Sequence, residues 1–165
     1  MKIVALSAFA AAALAGTPAF GQTVMLNFSF PEMREQITAI KAAPGTEGET
    51  ADKIHYIQAK AESGLNFTVY GIECDSKEAG QRCRGAEIVS SFELESDEDV
   101  AEAMELIDYA AVTDIDGGKG NLRLTRYVIF DEGITPGNLR VNLTVFLSIA
   151  NKVWDMLEDE GFFAS

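Results

Sequence analysis

The sequence predicts an α+β domain whose antiparallel sheet of about five strands packs against helices, in the order α-β-β-β-α-β-(β)-α. Strand-like segments outnumber the segments that could form crossover helices, and the turns between them are short and rich in glycine. Parallel strands need long crossover connections, so short turns favour an antiparallel sheet. A long C-terminal segment with a broad apolar stripe supplies a helix that could cover the sheet.

The first 21 residues have the layout of a secretory signal peptide. Lys2 is the single cation, and an apolar run over residues 3–14 precedes small residues and a proline. Ala19 and Gly21 supply the small side chains before a predicted cleavage after Gly21, and a cut after Ala15 is the alternative. A membrane anchor is less favoured, because the apolar run of about 12 residues falls short of the roughly 20 that cross a bilayer.

Cleavage leaves residues 22–165 as one domain, which we expect to be periplasmic or secreted. The full chain has 13 basic and 26 acidic residues, a formal charge of −13, and loss of Lys2 changes this to −14. Such a charge repels phosphate backbones and anionic lipid surfaces. We therefore expect no nucleic-acid partner and no membrane insertion of the mature chain.

The first half of the domain is expected to contain one helix and three strands. Residues 22–30 have strand-like composition but no evident pairing partner, and no element is assigned to them. Pro31 suits the first turn of a short helix over residues 31–43, and residues 44–52 are rich in Gly and acidic residues, which is typical of a loop. Three strand candidates follow, over residues 53–60, 65–73 and 86–94.

The only two cysteines, Cys74 and Cys83, lie between the second and third of these strands. Export favours a disulfide. Zinc sites use about four ligands with shorter cysteine spacing, and a redox pair normally has the C-x-x-C spacing. Free thiols stay an alternative. We expect a disulfide that joins the two ends of a hairpin connection and stabilises the fold by about 2.7 kcal/mol.

The second half is expected to contain two helices around a strand. Ser96 and the acidic residues after it favour the start of a helix over residues 96–112. A Gly-rich turn over residues 114–121 precedes a strand over residues 122–130, and a short strand over residues 111–115 could pair with it. Thr135 and Pro136 then favour the start of the last helix.

The last helix carries a wide apolar stripe that either covers a whole sheet face or is shared with a partner chain. This second alternative makes the stripe a candidate interface, formed by Leu139, Leu143, Phe146, Ala150, Val153, Trp154 and Leu157.

No residue pattern indicates a catalytic, cofactor-binding or metal site. His55 is the only histidine and has no Ser or Cys motif beside it, so a surface or interface role is favoured over catalysis. Asp114 and Asp116 match two positions of a calcium loop, but Thr125 stands where a bidentate Glu is required. The pair Glu93 and Glu95 could serve a glycosidase, although such pairs arise by chance among 26 acidic residues.

Residues 65 to about 160 resemble the YbjN family of bacterial proteins. The resemblance is carried by the segments "NFTVYGIEC", "CRGAEIVSSFEL", "LRLTRYVIF" and "GITPGNL", with an acidic-capped helix and a Gly turn between the second and third. It implies an α+β fold similar to that of type III secretion chaperones, which bind protein segments and often dimerise. The family is described as sensory transduction regulators without a defined catalytic role.

Together these features predict an exported, non-enzymatic module that binds a protein or peptide through its sheet face or terminal helix, with a homodimer as one arrangement. The alternative function is small-ligand binding in a pocket between sheet and helices. A hydrolase that uses His55 is the third and least favoured function.

Overall fold

The computed structural model describes residues 23–75, 81–107 and 114–163. The predicted leader and residues 108–112 of the predicted second helix lie outside the described residues. The strands are β1 (Phe28–Ser29), β2 (Ala43–Glu49), β3 (His55–Lys60), β4 (Asn66–Cys74), β5 (Arg82–Glu93), β6 (Asp114–Gly118) and β7 (Asn121–Ile129). The helices are α1 (Phe30–Ala39), α2 (Asp97–Leu106) and α3 (Pro136–Asp159).

The strands form one seven-stranded sheet in the order β2-β3-β4-β5-β7-β6, with β1 paired to the start of β5. All of these pairings are antiparallel. The predicted α+β class, the antiparallel sheet and the three helices are therefore confirmed, and the sheet is larger than the five or so strands expected.

Strand β2 forms where the sequence predicts a loop, so that prediction is wrong. β2 is an edge strand, and only one of its sides needs hydrogen bonds to the sheet, so proline and glycine are tolerated there. Its register shifts between Pro44 and Glu47. Arg34 of α1 holds this irregular stretch, because its Nη2 donates to the carbonyl oxygen of Gly45 at 2.7 Å and its Nε contacts the Glu47 carboxylate.

Strand β6 occupies most of the segment predicted to be a turn, and the turn itself is reduced to Lys119 and Gly120. Glycine is required at position 117 because α2 packs directly over it. A Cβ atom on Gly117 would clash with Val100 of α2. The short strand expected over residues 111–115 is found in part, since Asp114 and Ile115 belong to β6 and residues 111–113 lie outside the described residues.

The helices begin at side chains that satisfy free backbone N–H groups. Ser29 and Glu32 form a capping box at the start of α1, one residue earlier than predicted. Ser96 Oγ accepts from the Asp99 N–H at 3.1 Å, and Thr135 Oγ1 accepts from the Asn138 N–H at 3.1 Å, as their positions predict. Helix α2 ends at Leu106, earlier than expected, and Met104 on this helix is 38% exposed.

All three helices pack on the same face of the sheet, called the inner face below. α1 contacts β2 and β3, α2 contacts β6 and β7, and α3 contacts β5 and β7. Alternate residues of β5, among them Ile88 and Phe92, point to this face and are at most 2% exposed. Over residues 23–75, 81–107 and 114–163, no helical residue lines either of the two cavities that open on the opposite, outer face.

Candidate functional site

The outer face of the sheet is the candidate functional site, because the helices leave it uncovered. Its middle is crossed by a row of side chains from four adjacent strands. Tyr56 pairs with Tyr70, Tyr70 with Glu87, and Glu87 with Tyr127. Residues two apart along a strand point to the same face of the sheet. The residues two positions before and two positions after each member of this row therefore also lie on the outer face.

An apolar groove lies on one side of this tyrosine row. Ile72, Gly85 and Ile129 are neighbours across β4, β5 and β7, and with Leu26 they line a cavity of about 650 Å³. Leu26 is 63% exposed and Ile129 is 56% exposed. A Cβ atom at Gly85 would lie 3.3 Å from Ile129 Cδ1 and 3.4 Å from Ile72 Cβ. Glycine at this position therefore keeps the floor between the two isoleucines open.

Charged residues surround the groove. Glu73, Asp131 and Glu132 contribute three carboxylates to the lining, and Arg84 contributes one guanidinium. Their formal sum is −3 + 1 = −2, which has the same sign as the net charge of the whole chain. The site thus combines an apolar floor with a negative rim.

A polar pocket of about 470 Å³ lies on the other side of the tyrosine row. Its walls come from β3, β4 and β5, and the irregular stretch of β2 forms its rim. The polar side chains on its walls are Gln58, Lys60, Asn66, Thr68, Tyr70 and Ser91, and the apolar residues of the same strands that line it are Ala59, Phe67 and Val89. This pocket opens on the outer face, whereas the small-ligand hypothesis places one between sheet and helices.

The row between the two cavities is held by polar contacts and ring contacts. Arg123 Nη2 donates to Glu87 Oε1 at 2.7 Å, and the hydroxyl of Tyr127 donates to the same oxygen at 3.4 Å. The rings of Tyr56 and Tyr70 lie 5.7 Å apart between centroids. These contacts separate the apolar groove from the polar pocket.

The structure places most of the predicted interface stripe of α3 in the core of its own chain. Leu139, Leu143, Phe146, Ala150, Val153 and Leu157 are all 0% exposed. These six residues contact the inner face and present no surface to a partner. Trp154 is 42% exposed, and its ring lies 4.6 Å from that of Phe163 and 6.1 Å from that of Phe92. The stripe thus covers the sheet, which was one of the two expected alternatives.

His55 lies at the end of β3 opposite Glu49 of β2. Its Nε2 is 2.6 Å from Glu49 Oε1, without the angles of a hydrogen bond, and its ring is 5.8 Å from that of Phe30. His55 lines neither cavity of the outer face. The histidine predicted to have a surface or interface role therefore has a carboxylate neighbour, and no hydroxyl or thiol joins the pair within the described part of the chain.

The other predicted acidic candidates lie on or just beyond strands of the sheet. Asp114 and Asp116 lie on β6, and Glu93 and Glu95 are exposed at the end of β5 and just beyond it. Over residues 23–75, 81–107 and 114–163, no group of three or more His, Cys, Asp or Glu side chains is placed to hold a metal ion. No helix in these ranges is long and apolar enough to cross a bilayer.

Cys74 and Cys83 are direct cross-strand partners on β4 and β5, and their sulfur atoms lie at the distance of a disulfide. This agrees with the predicted covalent link across the hairpin connection. Glu73 has a φ of 49°, in the left-handed region, just before Cys74. The sulfurs lie beside Gly71 and near Phe30, and Cys83 is 0% exposed.

Comparisons of the chain with protein-family models, with curated proteins and with solved structures find no match. The resemblance to the YbjN family stays a prediction.

Proposed function

We propose that this chain is an exported, non-enzymatic module that binds an extended segment of a partner protein in the apolar groove of its outer face. One observation carries the proposal. Leu26 and Ile129 are more than half exposed beside a glycine floor, on the sheet face that none of the described helices covers. Exposed apolar clusters rimmed by polar residues are typical of interaction sites.

The charge of the groove favours a basic segment. Three carboxylates and one guanidinium surround the apolar floor, and the whole chain carries a formal charge of −13. A partner segment in which apolar residues alternate with lysine or arginine matches both features, since alternate residues of an extended segment point in opposite directions. Charge complementarity would also speed the encounter. A second copy of this chain would bring the same negative rim, so a homodimer through this groove is less favoured.

Two features of the sequence, a family resemblance and a signal-like N-terminal segment, support the same function. The resemblance of residues 65–160 to the YbjN family implies binding of protein segments and a regulatory, chaperone-like role. The signal-like residues 1–21 support a periplasmic or secreted location, in which disulfides persist. Intact mass of the chain from the native host tests the location, with loss of residues 1–21 as the expected result and a retained Met1 as the contrary one.

Fluorescence polarisation with a labelled peptide tests the binding proposal. The probe is a short peptide in which isoleucine alternates with lysine, and its partner probe carries glutamate in place of lysine. Ile129→Ser removes a groove residue, and Val141→Ser is a matched control, since Ile129 is 56% exposed and Val141 on α3 is 59% exposed. Truncating a central anchor typically costs more than 1 kcal/mol.

We expect the lysine peptide to bind, the glutamate peptide to bind much more weakly, and Ile129→Ser to weaken the lysine peptide about tenfold. Val141→Ser is expected to leave the affinity unchanged. Equal affinities of the two variants, or equal binding of the two peptides, would contradict the proposal.

A further inference from the structure

The polar pocket on the other side of the tyrosine row is a second cavity with a different chemistry. Its volume of about 470 Å³ lies within the range of small-molecule sites. None of the residues that line the apolar groove lines this pocket. A ligand here would therefore bind independently of a peptide in the groove.

The pocket is lined by neutral side chains that can both donate and accept hydrogen bonds. Gln58, Asn66, Thr68 and Ser91 bring two amides and two hydroxyls to the cavity. Within the described ranges, none of these four side chains makes a hydrogen bond to another residue. Their hydrogen-bonding capacity is thus available to a ligand.

The charge of the pocket contrasts with that of the chain. No carboxylate from the described part of the chain lines this pocket, although the chain has 26 acidic residues against 13 basic ones. Among the described residues, Lys60 is the only charged side chain on the walls. A phosphate-rich ligand would need several cations. A fatty acid would need walls that are mostly apolar, whereas most of the side chains that line this pocket are polar.

An aromatic ring completes the lining. Tyr70 lines the pocket and is supported by Tyr56, with 5.7 Å between ring centroids and 57° between ring planes. A sugar ring presents C–H groups on its faces and hydroxyls around its edge, so it can pack on a tyrosine while its hydroxyls bond to amides and hydroxyls.

We infer that the polar pocket is a saccharide-binding site. The ring of Tyr70 supports one face of a sugar unit, and the side chains of Gln58, Asn66, Thr68 and Ser91 bind its hydroxyls. Lys60 accommodates a sugar that carries a carboxylate. The site does not depend on peptide binding in the apolar groove.

Amide-resolved NMR titration of the disulfide-bonded chain tests this site with three probes: cellotriose, chitotriose and tri-galacturonate. We expect at least one probe to shift the amide signals of Thr68 and Ser91 at millimolar concentration or below. Thr68→Val removes a hydroxyl from the pocket with little change of shape, and Thr144→Val makes the same change at an exposed position of α3. Tyr70→Ala removes the platform.

Thr68→Val and Tyr70→Ala are each expected to weaken the bound probe about tenfold, in line with loss of one hydrogen bond or ring contact. Thr144→Val is expected to leave the affinity unchanged, as is Ile129→Ser in the apolar groove. The inference is overturned if no probe shifts the pocket signals, or if Thr68→Val and Thr144→Val bind the probe equally well.

Discussion

Gly71 lies against the sulfur of Cys83, so that a Cβ atom at position 71 would come within 2.5 Å of it. The same atom would lie 2.7 Å from the sulfur of Cys74 and 3.2 Å from Cζ of Phe30. A side chain of any size at position 71 therefore competes for space with the disulfide and with the first helix. Packing against the disulfide and Phe30 therefore explains why glycine stands at position 71, three residues before Cys74.

Gly71→Ala is expected to lower the free energy of unfolding by about 1–3 kcal/mol, the usual cost of overpacking a core. Gly118→Ala is the matched control, because it is also a strand glycine and a Cβ atom there would meet nothing within 4 Å. Urea unfolding of both variants measures the difference. Equal stability of the two variants would show that the sulfurs do not lie against position 71.

Removal of the disulfide is expected to destabilise the domain by about 2–3 kcal/mol, because the link closes a short loop in the unfolded chain. The measurement is urea unfolding of the chain with and without reductant. The double variant Cys74→Ala with Cys83→Ala, which cannot form the bond, should be insensitive to reductant. An unchanged midpoint for the original chain after complete reduction would contradict the role of the link.

The ion pair at the start of α1 is expected to make stability depend on pH. Partial burial raises the pKa of Glu32, but hydrogen bonds from Ser29 and the charge of Arg82 outweigh it and lower the pKa below its usual value of 4.5. Arg82 Nη2 lies 2.9 Å from Glu32 Oε2. Because the pKa of Glu32 is lower in the folded state, the stabilisation is fully present above about pH 4.5. It is lost as the pH falls through the pKa of the folded state.

Glu32→Gln tests this dependence. Urea unfolding should show the original chain to be more stable than the variant at neutral pH. This gap in the free energy of unfolding should close as the pH falls below about 4.5. Glu62→Gln, at an exposed turn, serves as the control and should show little gap at any pH. A gap for Glu32→Gln that stays constant from neutral to acidic pH would contradict the assignment.

The stripe of α3 is expected to behave as core. Leu143 is 0% exposed, and Leu143→Ala should cost about 2–5 kcal/mol of unfolding free energy. Val141→Ala, on the exposed side of the same helix, should change stability by no more than about 0.5 kcal/mol. A small effect of Leu143→Ala on the free energy of unfolding would contradict the burial of the stripe and would support its role as an interface.

Local signals in the sequence were sufficient to predict those elements whose structure depends mainly on residues within or next to them. Thr135 with Pro136 predicts the start of α3, and the position of the two cysteines between neighbouring strand candidates predicts the link between β4 and β5. Strand β2 could not be predicted in this way. It is rich in glycine and glutamate, and it is held at the sheet edge by Arg34, a residue of another element.

Part of the candidate site left a signal in the sequence and part did not. Tyr127 and Ile129 occupy the outward positions of β7, where polar residues are usual, so apolar residues there indicate an unusual surface. Leu26 gave no such signal. Its position depends on the bridge between Met25 and Ile134, which joins residues more than a hundred positions apart. A contact between residues so far apart in the sequence depends on the whole fold and cannot be predicted from local sequence patterns.

Amide shift mapping with the lysine–isoleucine peptide tests whether peptides bind in the apolar groove. We predict that the largest shifts fall on Ile72, Gly85 and Ile129, and that they are absent in Gly85→Val, which fills the groove floor. Gly118→Val, at an open position of β6, should retain them. Shifts centred on Val141 and Trp154 of α3, or no shifts with a well-folded chain, would contradict it.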